Sequence, residues 1–173
     1  LARKNGAFVI MEKRRGKGHA VKTALKKIPS STDYIIMLDG DYSYNPTYIK
    51  NFLAELKKYD VVLGSRFSGR MNEKSMPELN IFGNIILTKF ANALYGTNIT
   101  DLCTGFVGIR KEAADKIKIS STQFELETDL FTEYVRNKLL IKEIPIIYRK
   151  TLSKSKVNPI ADGIKDAIFL LKR

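Results

Sequence analysis

The sequence predicts an α/β fold, a mostly parallel sheet flanked by helices. Short apolar runs alternate with amphipathic stretches along the chain, the pattern of strands interleaved with helices. Such alternation favours a mainly parallel sheet with helices on its faces. One run, Tyr34-Ile35-Ile36-Met37-Leu38, leads straight into Asp39-Gly40-Asp41. That junction places two carboxylates at the carboxyl edge of a sheet, where open α/β folds bind ligands. The 173 residues, 44% hydrophobic and 28% charged, suit one globular domain over 1–173, without linker, repeat or low-complexity segment.

Each element has its own signal. Ala7–Met11 is a candidate strand, followed by the basic loop Lys13-Arg14-Arg15-Gly16-Lys17-Gly18. Ala20–Lys27 reads as a helix stopped by Pro29, and Tyr34–Leu38 as a strand. Asn45-Pro46 opens the next helix, a capping residue with proline at the first helical position. Ile49, Phe52, Leu53 and Leu56 form its apolar stripe. Val61–Gly64 is a strand delivering Ser65-Arg66 to its end, and Ser68–Pro77 a polar loop. A helix carries Ile81, Phe82, Ile85, Ile86, Lys89 and Ala93, with Gly96 as its stop. Strands at Phe106–Ile109 and Ile144–Tyr148 flank a helix near Phe124–Asn137. Ile164, Ala167, Ile168 and Leu171 give a final basic helix an apolar face.

Charge is uneven. The net charge is +12, with nine Lys or Arg against one Glu in residues 1–27 and seven against two Asp in 149–173. Such basic ends attract phosphates, on nucleotides, lipid headgroups or nucleic acid, or are simply solvated faces. Cys103 is the only cysteine, which excludes an internal disulfide and a cysteine-rich zinc site and points to a reducing, intracellular setting. No apolar run approaches the roughly 20 residues that span a bilayer.

Asp39 and Asp41 are hard oxygen donors suited to Mg²⁺ or Mn²⁺, a cation that commonly also grips a diphosphate. Read by spacing alone, Asp-Gly-Asp is more simply a solvated turn. Gly16-Lys17-Gly18 stands before a helix, so either Lys17 reaches an anion there or the glycines make a tight turn under a solvated lysine. His19, the sole histidine, has no cluster around it.

Five segments together resemble the family-2 glycosyltransferases, in particular the polyprenyl-phosphate sugar synthases typified by dolichol-phosphate mannose synthase. They are Gly16-Lys17-Gly18-His19-Ala20, Asp39-Gly40-Asp41 with Pro46 beyond it, Gly64-Ser65-Arg66-Phe67, and Thr100-Asp101-Leu102-Cys103-Thr104-Gly105-Phe106. The fifth runs from Phe124-Glu125 through Glu143-Ile144-Pro145-Ile146 to Ser155-Lys156-Val157-Asn158-Pro159. The resemblance implies the GT-A fold, a Rossmann-like layer that binds a nucleotide-diphosphate sugar. It also implies that the first strand-helix-strand unit, which cradles base and ribose, is missing here.

The site residues follow from the same resemblance. Asp41 is the expected direct metal ligand and Asp39 faces ribose or metal. Ser43 stands where the family often has Gln, as a weaker third ligand. Lys17, Arg149, Ser155 and Lys156 are expected at the donor phosphates, with Thr151 where the family often has arginine. Arg66 would clamp the acceptor phosphate. Asp101 would be general base for a hydroxyl acceptor, or would orient the sugar or an arginine for a phosphate acceptor. Of Glu125 and Glu127, only Glu125 matches a family position.

The implied reaction is an inverting, metal-assisted transfer of a hexose from a GDP- or UDP-linked sugar to a polyprenyl phosphate. Its expected place is the cytoplasmic face of a membrane, with peripheral contact and no nucleic-acid partner. A saccharide acceptor is the nearest alternative. A nucleotidyltransferase also uses paired carboxylates, and a basic nucleic-acid binder is suggested by charge alone.

Overall fold

The computed structural model describes residues 2–123, 125–151 and 159–172. Four strands form one sheet in the order β1-β3-β2-β4: β1 Tyr34–Leu38, β2 Val61–Met71, β3 Phe106–Arg110 and β4 Ile141–Tyr148. Among the described residues six α-helices accompany them: α1 Lys17–Leu25, α2 Ile49–Glu55, α3 Glu78–Tyr95, α4 Lys111–Ala114, α5 Leu126–Arg136 and α6 Pro159–Leu171, with short 3-10 turns at Arg3–Asn5 and Pro46–Tyr48.

Strand alternation divides the core in two. Ile35, Val61, Leu63, Val107 and Ile109 pack with Leu87 and Ala91 of α3, Leu126, Leu130, Phe131 and Tyr134 of α5 and Leu170 of α6. The intervening residues Val62, Phe106, Ile144 and Ile146 face the other way onto Phe52 of α2 and Leu56, the residue that caps its end. There Phe52 stacks on Phe106 at 4.2 Å between ring centroids. Strands β1 and β3 and the first part of β2 thus pack on both faces, which is why they read as apolar runs, whereas β4 alternates, with Ile144 and Ile146 buried and Pro145 and Ile147 exposed.

The expected mostly parallel sheet is present, with one strand reversed. β2 and β4 pair parallel, while β3 lies antiparallel between β1 and β2. Strands β1, β2 and β4 therefore share a direction and β3 alone is reversed. The cause lies in the chain before it. Thr100 and Asp101 are bonded to Ser65 and Arg66 of β2, so β3 sets out from the edge that β1 reaches at its carboxyl end and β2 just past Leu63.

Two expectations are corrected. Ala7–Met11 is not a strand; it pairs with none of the four, and Phe8 and Met11 are exposed. The polar loop expected from Ser68 begins only after Met71, because β2 continues beside β4 past an irregularity between Ser65 and Arg70. Arg66, which lies within that irregular stretch, is buried at 6% exposure. Helices α1, α2, α3, α5 and α6 stand close to their expected positions, and α4 is an added short helix that was not expected. Asn45 caps its turn by accepting from the Thr47 amide, and Gly96 ends α3 in the left-handed region.

The apolar face read on the last helix is divided. Ala167 packs on the core beside buried Leu170, whereas Ile164, Ile168 and Leu171 are exposed. Helix α3, which packs against α6, likewise exposes Leu79, Phe82 and Ile86. No helix among the described residues is long and apolar enough to cross a membrane.

Candidate active site

The carboxyl end of β1, the middle of β2 just past its last pairing with β3 at Leu63, and the amino end of β3 meet at one edge, and the expected acidic and basic residues meet there with them. Leu38 is opposite Phe106 in the β1–β3 ladder, so Asp39 emerges beside Gly105. A Cβ added at Gly105 would lie 2.0 Å from Asp39 Oδ2. Only glycine leaves room for that carboxylate. The Gly105 amide donates to the buried Tyr44 hydroxyl at 2.8 Å, and Thr104 Oγ1 donates to the Gly64 carbonyl at 2.6 Å.

Asp41 is held by its own turn. Its Oδ1 accepts from the Ser43 amide at 3.0 Å and from the Ser43 hydroxyl, a local closure that Asp supports two residues ahead. Tyr42, between them, takes φ 73, in the left-handed region. Burial pushes the Asp41 carboxyl up, but the Ser43 hydrogen bonds outweigh it and hold the group below its ordinary value. Ser43 was expected as a third metal ligand. It is 1% exposed and donates its hydroxyl to Asp41, so it orients the Asp41 carboxylate.

Lys17 reaches the same edge from α1. Its Nζ lies 2.7 Å from Asp39 Oδ1 and 2.5 Å from Glu127 Oε1 at the start of α5. Burial works against that ammonium, yet the charges of Glu127 and Asp39 prevail and raise its pKa. The glycines around it serve packing. A Cβ at Gly16, where φ is 123, would sit 2.0 Å from the Thr122 carbonyl oxygen. Asp129 fixes that stretch by accepting from the Ser120 and Ser121 amides at 2.6 Å each. The carboxylate facing Lys17 is Glu127; Glu125, the one matched by resemblance, accepts from the Thr122 amide at 3.4 Å.

Arg66 and Asp101 form a closed pair. Arg66 Nε and Nη2 each donate to Asp101 at 2.7 Å, and the Arg66 amide adds a third bond at 2.9 Å. Asp101 is fully buried. The guanidinium lies 5.6 Å from the Phe67 ring centroid and 5.4 Å from that of Tyr148. Burial opposes its charge, but Tyr44 and Asp101 hold its pKa well above the ordinary value. Both Asp101 oxygens are engaged, so this carboxylate is built to hold an arginine.

Glu143, at the start of β4, is a residue whose role the sequence did not disclose. It accepts from the Thr100 amide at 2.8 Å, the Thr100 hydroxyl at 2.9 Å and the Asp101 amide at 3.0 Å. Burial raises its pKa against those bonds. Farther along, the Arg149 amide donates to the Ser43 carbonyl at 2.9 Å, and its guanidinium sits 5.7 Å from the Tyr42 ring centroid. Thr151 donates to the Asp41 carbonyl at 3.3 Å. The chain after β4 therefore runs along the Asp39–Asp41 turn. Ser155 and Lys156 lie outside the described residues.

Asp39 and Asp41 fit Mg²⁺ or Mn²⁺ by donor chemistry, being hard carboxylate oxygens on one turn. Among the described residues they belong to no group of three or more acidic, cysteine or histidine side chains suited to a metal. The rest of a coordination shell would have to come from a bound ligand and water, as is usual for a cation that also grips phosphate.

The geometry has counterparts among known proteins. Residues 2–118 match the family described as glycosyl transferase family 2. The chain is 32% identical over 174 residues to a low-salt glycan biosynthesis hexosyltransferase of Haloferax volcanii, covering 99% of this chain and 42% of that protein. It is 32% identical over 164 residues to a dolichyl-phosphate hexose transferase of the same organism, covering 94% of this chain and 70% of that one. Among solved structures, glucosyl-3-phosphoglycerate synthase from Mycobacterium tuberculosis, in complex with Mn²⁺ and UDP-glucose, superposes with a TM-score of 0.71 at 16% identity. That match covers 98% of this chain and 61% of the other, and it establishes the fold. The chain spans about half the length of the first two Haloferax relatives it matches, 42% and 54%.

Proposed function

Because the chain belongs to glycosyl transferase family 2, we propose that it is the catalytic part of an inverting hexosyltransferase. The donor is a GDP- or UDP-linked sugar and the acceptor a polyprenyl phosphate. The observation that carries the acceptor assignment is the Arg66–Asp101 pair. Asp101 is fully buried and both of its oxygens accept from Arg66, so it is poorly placed to take a proton from an attacking hydroxyl. A phosphate acceptor arrives already ionised and needs no base. The name of the dolichyl-phosphate hexose transferase relative supports the same acceptor class.

In the proposed reaction an acceptor phosphate oxygen forms a bond to the sugar's anomeric carbon as the bond to the donor diphosphate breaks. The nucleoside diphosphate leaves and the anomeric centre inverts. Asp39 and Asp41 would hold Mg²⁺ or Mn²⁺, which offsets charge on the departing diphosphate. Lys17 and Arg149 add positive charge around that turn, and Ser155 and Lys156 are proposed to complete it. Asp101 fixes Arg66 in orientation, and the guanidinium supplies positive charge at the acceptor side. Exposed Leu79, Phe82 and Ile86 on α3, with Ile164, Ile168 and Leu171 on α6, suit peripheral contact with the bilayer holding the acceptor.

The test is transfer of labelled hexose from GDP- or UDP-sugars into organic-extractable material in the presence of polyprenyl phosphate and Mn²⁺. Label in the organic phase, absent with Asp41→Ala, supports the reading. Label found only on a water-soluble saccharide overturns the acceptor assignment.

A further inference from the structure

Lys17 is placed between two carboxylates that belong to different elements, Asp39 after β1 and Glu127 at the start of α5. We propose that Lys17 is a movable counter-ion: it neutralises Asp39 until a divalent cation takes that carboxylate, and it is then retained by Glu127. The inference rests on reading Asp39 and Asp41 as the metal site and adds two positioning residues to it.

Three features support it. First, the ammonium at 2.7 Å from Asp39 Oδ1 occupies the neighbourhood of an oxygen that a divalent cation must approach to about 2.0–2.2 Å. Positive charges that close repel strongly even at an effective dielectric of about 20, so each weakens the other's hold on Asp39. Secondly, Asp39 has little freedom to turn away. Its Oδ2 lies against Gly105, where even a methyl group would collide at 2.0 Å. Lysine is the mobile partner, a point charge on a flexible stem.

Thirdly, Lys17 has somewhere to go. Glu127 is a sheltered carboxylate, 15% exposed at its side chain, and its only described ion pair is with Lys17. Its position is built, since Asp129 two residues on holds the Ser120–Ser121 backbone next to the stretch against which Gly16 packs. A lysine needed only to offset Asp39 would not require a second carboxylate at 2.5 Å. One that must release Asp39 without being left unpaired in a sheltered site does require it.

The roles make opposite predictions for two neighbouring substitutions. Lys17→Met removes the competitor and exposes Asp39 and Glu127 to the metal, so Mn²⁺ should bind about tenfold more tightly. Glu127→Gln leaves Lys17 with Asp39 alone and removes a nearby negative charge, so Mn²⁺ should bind several-fold more weakly. The measurement is free Mn²⁺ by electron paramagnetic resonance during titration of the whole chain, with circular dichroism confirming that each variant is folded. Lys17→Arg, which keeps the charge, should stay near the parent. Binding gained in Lys17→Met from a parent with none detectable also supports the counter-ion. Variants shifting in the same direction, both unmoved, or neither they nor the parent binding Mn²⁺ overturn it. Asp41→Ala separates the premise. If Mn²⁺ binding survives that change, the metal-site reading itself fails; if Asp41→Ala abolishes binding and the opposite shifts are missing, only the counter-ion fails.

Discussion

Arg66 and Asp101, thirty-five positions apart, are joined by three hydrogen bonds of 2.7, 2.7 and 2.9 Å, and Asp101 has no exposure to solvent. The bond from the Arg66 amide ties the loop before β3 to the backbone of β2, so the pair supports both the sheet and the site. Removing one partner leaves the other as a buried, uncompensated charge. Asp101→Asn should therefore destabilise the fold by about 3–5 kcal/mol, read from urea unfolding. Arg66→Met combined with Asp101→Asn should cost clearly less than the two single changes added together. Additive losses would mean that the residues are not coupled.

Gly105→Ala places a methyl group where Asp39 Oδ2 now lies, 2.0 Å away. The carboxylate must swing aside. Mn²⁺ binding should fall about tenfold or more, with a loss of stability of about 1–3 kcal/mol, the usual range for overpacking. Unchanged Mn²⁺ affinity would separate Asp39 from the metal.

Asp166 gives a pH dependence with a definite sign. Burial raises its carboxyl to about 7; the Thr128 hydroxyl opposes this, and Glu127, Glu125 and Asp162 add to it. The folded form thus holds a proton that the unfolded chain releases near its ordinary value of 3.8. Stability from this group is present at low pH, declines as pH rises between those values, and is lost above about 7. Asp166→Asn should match the parent near pH 4 and exceed it by about 1–2 kcal/mol at pH 8, keeping the Thr128 contact. Thermal unfolding across pH reads the difference, and a constant offset at all pH values would contradict it.

The proposed membrane contact through α3 and α6 predicts a surface effect without a folding effect. Phe82→Ser with Ile168→Ser changes side chains that are 63% and 45% exposed. Their melting temperature should hardly move. Cosedimentation with anionic phospholipid vesicles should fall several-fold, with Lys89, Lys165 and Lys172 left to supply charge. Equal cosedimentation would place the bilayer elsewhere.

Much of the fold was legible because its signals are local. Tyr34–Leu38 and Phe106–Ile109 read as strands because both of their faces pack against core residues, and Asn45 and Gly96 marked helix ends through their own backbone preferences. Ala7–Met11 misled because strand composition creates no strand unless a partner lies beside it. The reversed direction of β3 was hidden for a related reason: it depends on Asp101 meeting Arg66 across thirty-five residues. At the site, Asp39, Asp41, Lys17, Arg66 and Asp101 were all legible as candidates. The use made of them was not. Ser43 turned out to support Asp41, and Glu127 rather than Glu125 faces Lys17, since helix phase at the start of α5 depends on a cap that spacing does not locate. Glu143 carried only the weak signal of one acid leading an apolar strand.

The most direct measurement is calorimetric titration of the chain with UDP and with GDP, with and without Mn²⁺, beside Asp41→Ala. Binding of one nucleotide that requires Mn²⁺ and disappears in Asp41→Ala is the expected result, and it names the donor class. Binding indifferent to both the metal and Asp41 would contradict a donor site built on the Asp39–Asp41 turn.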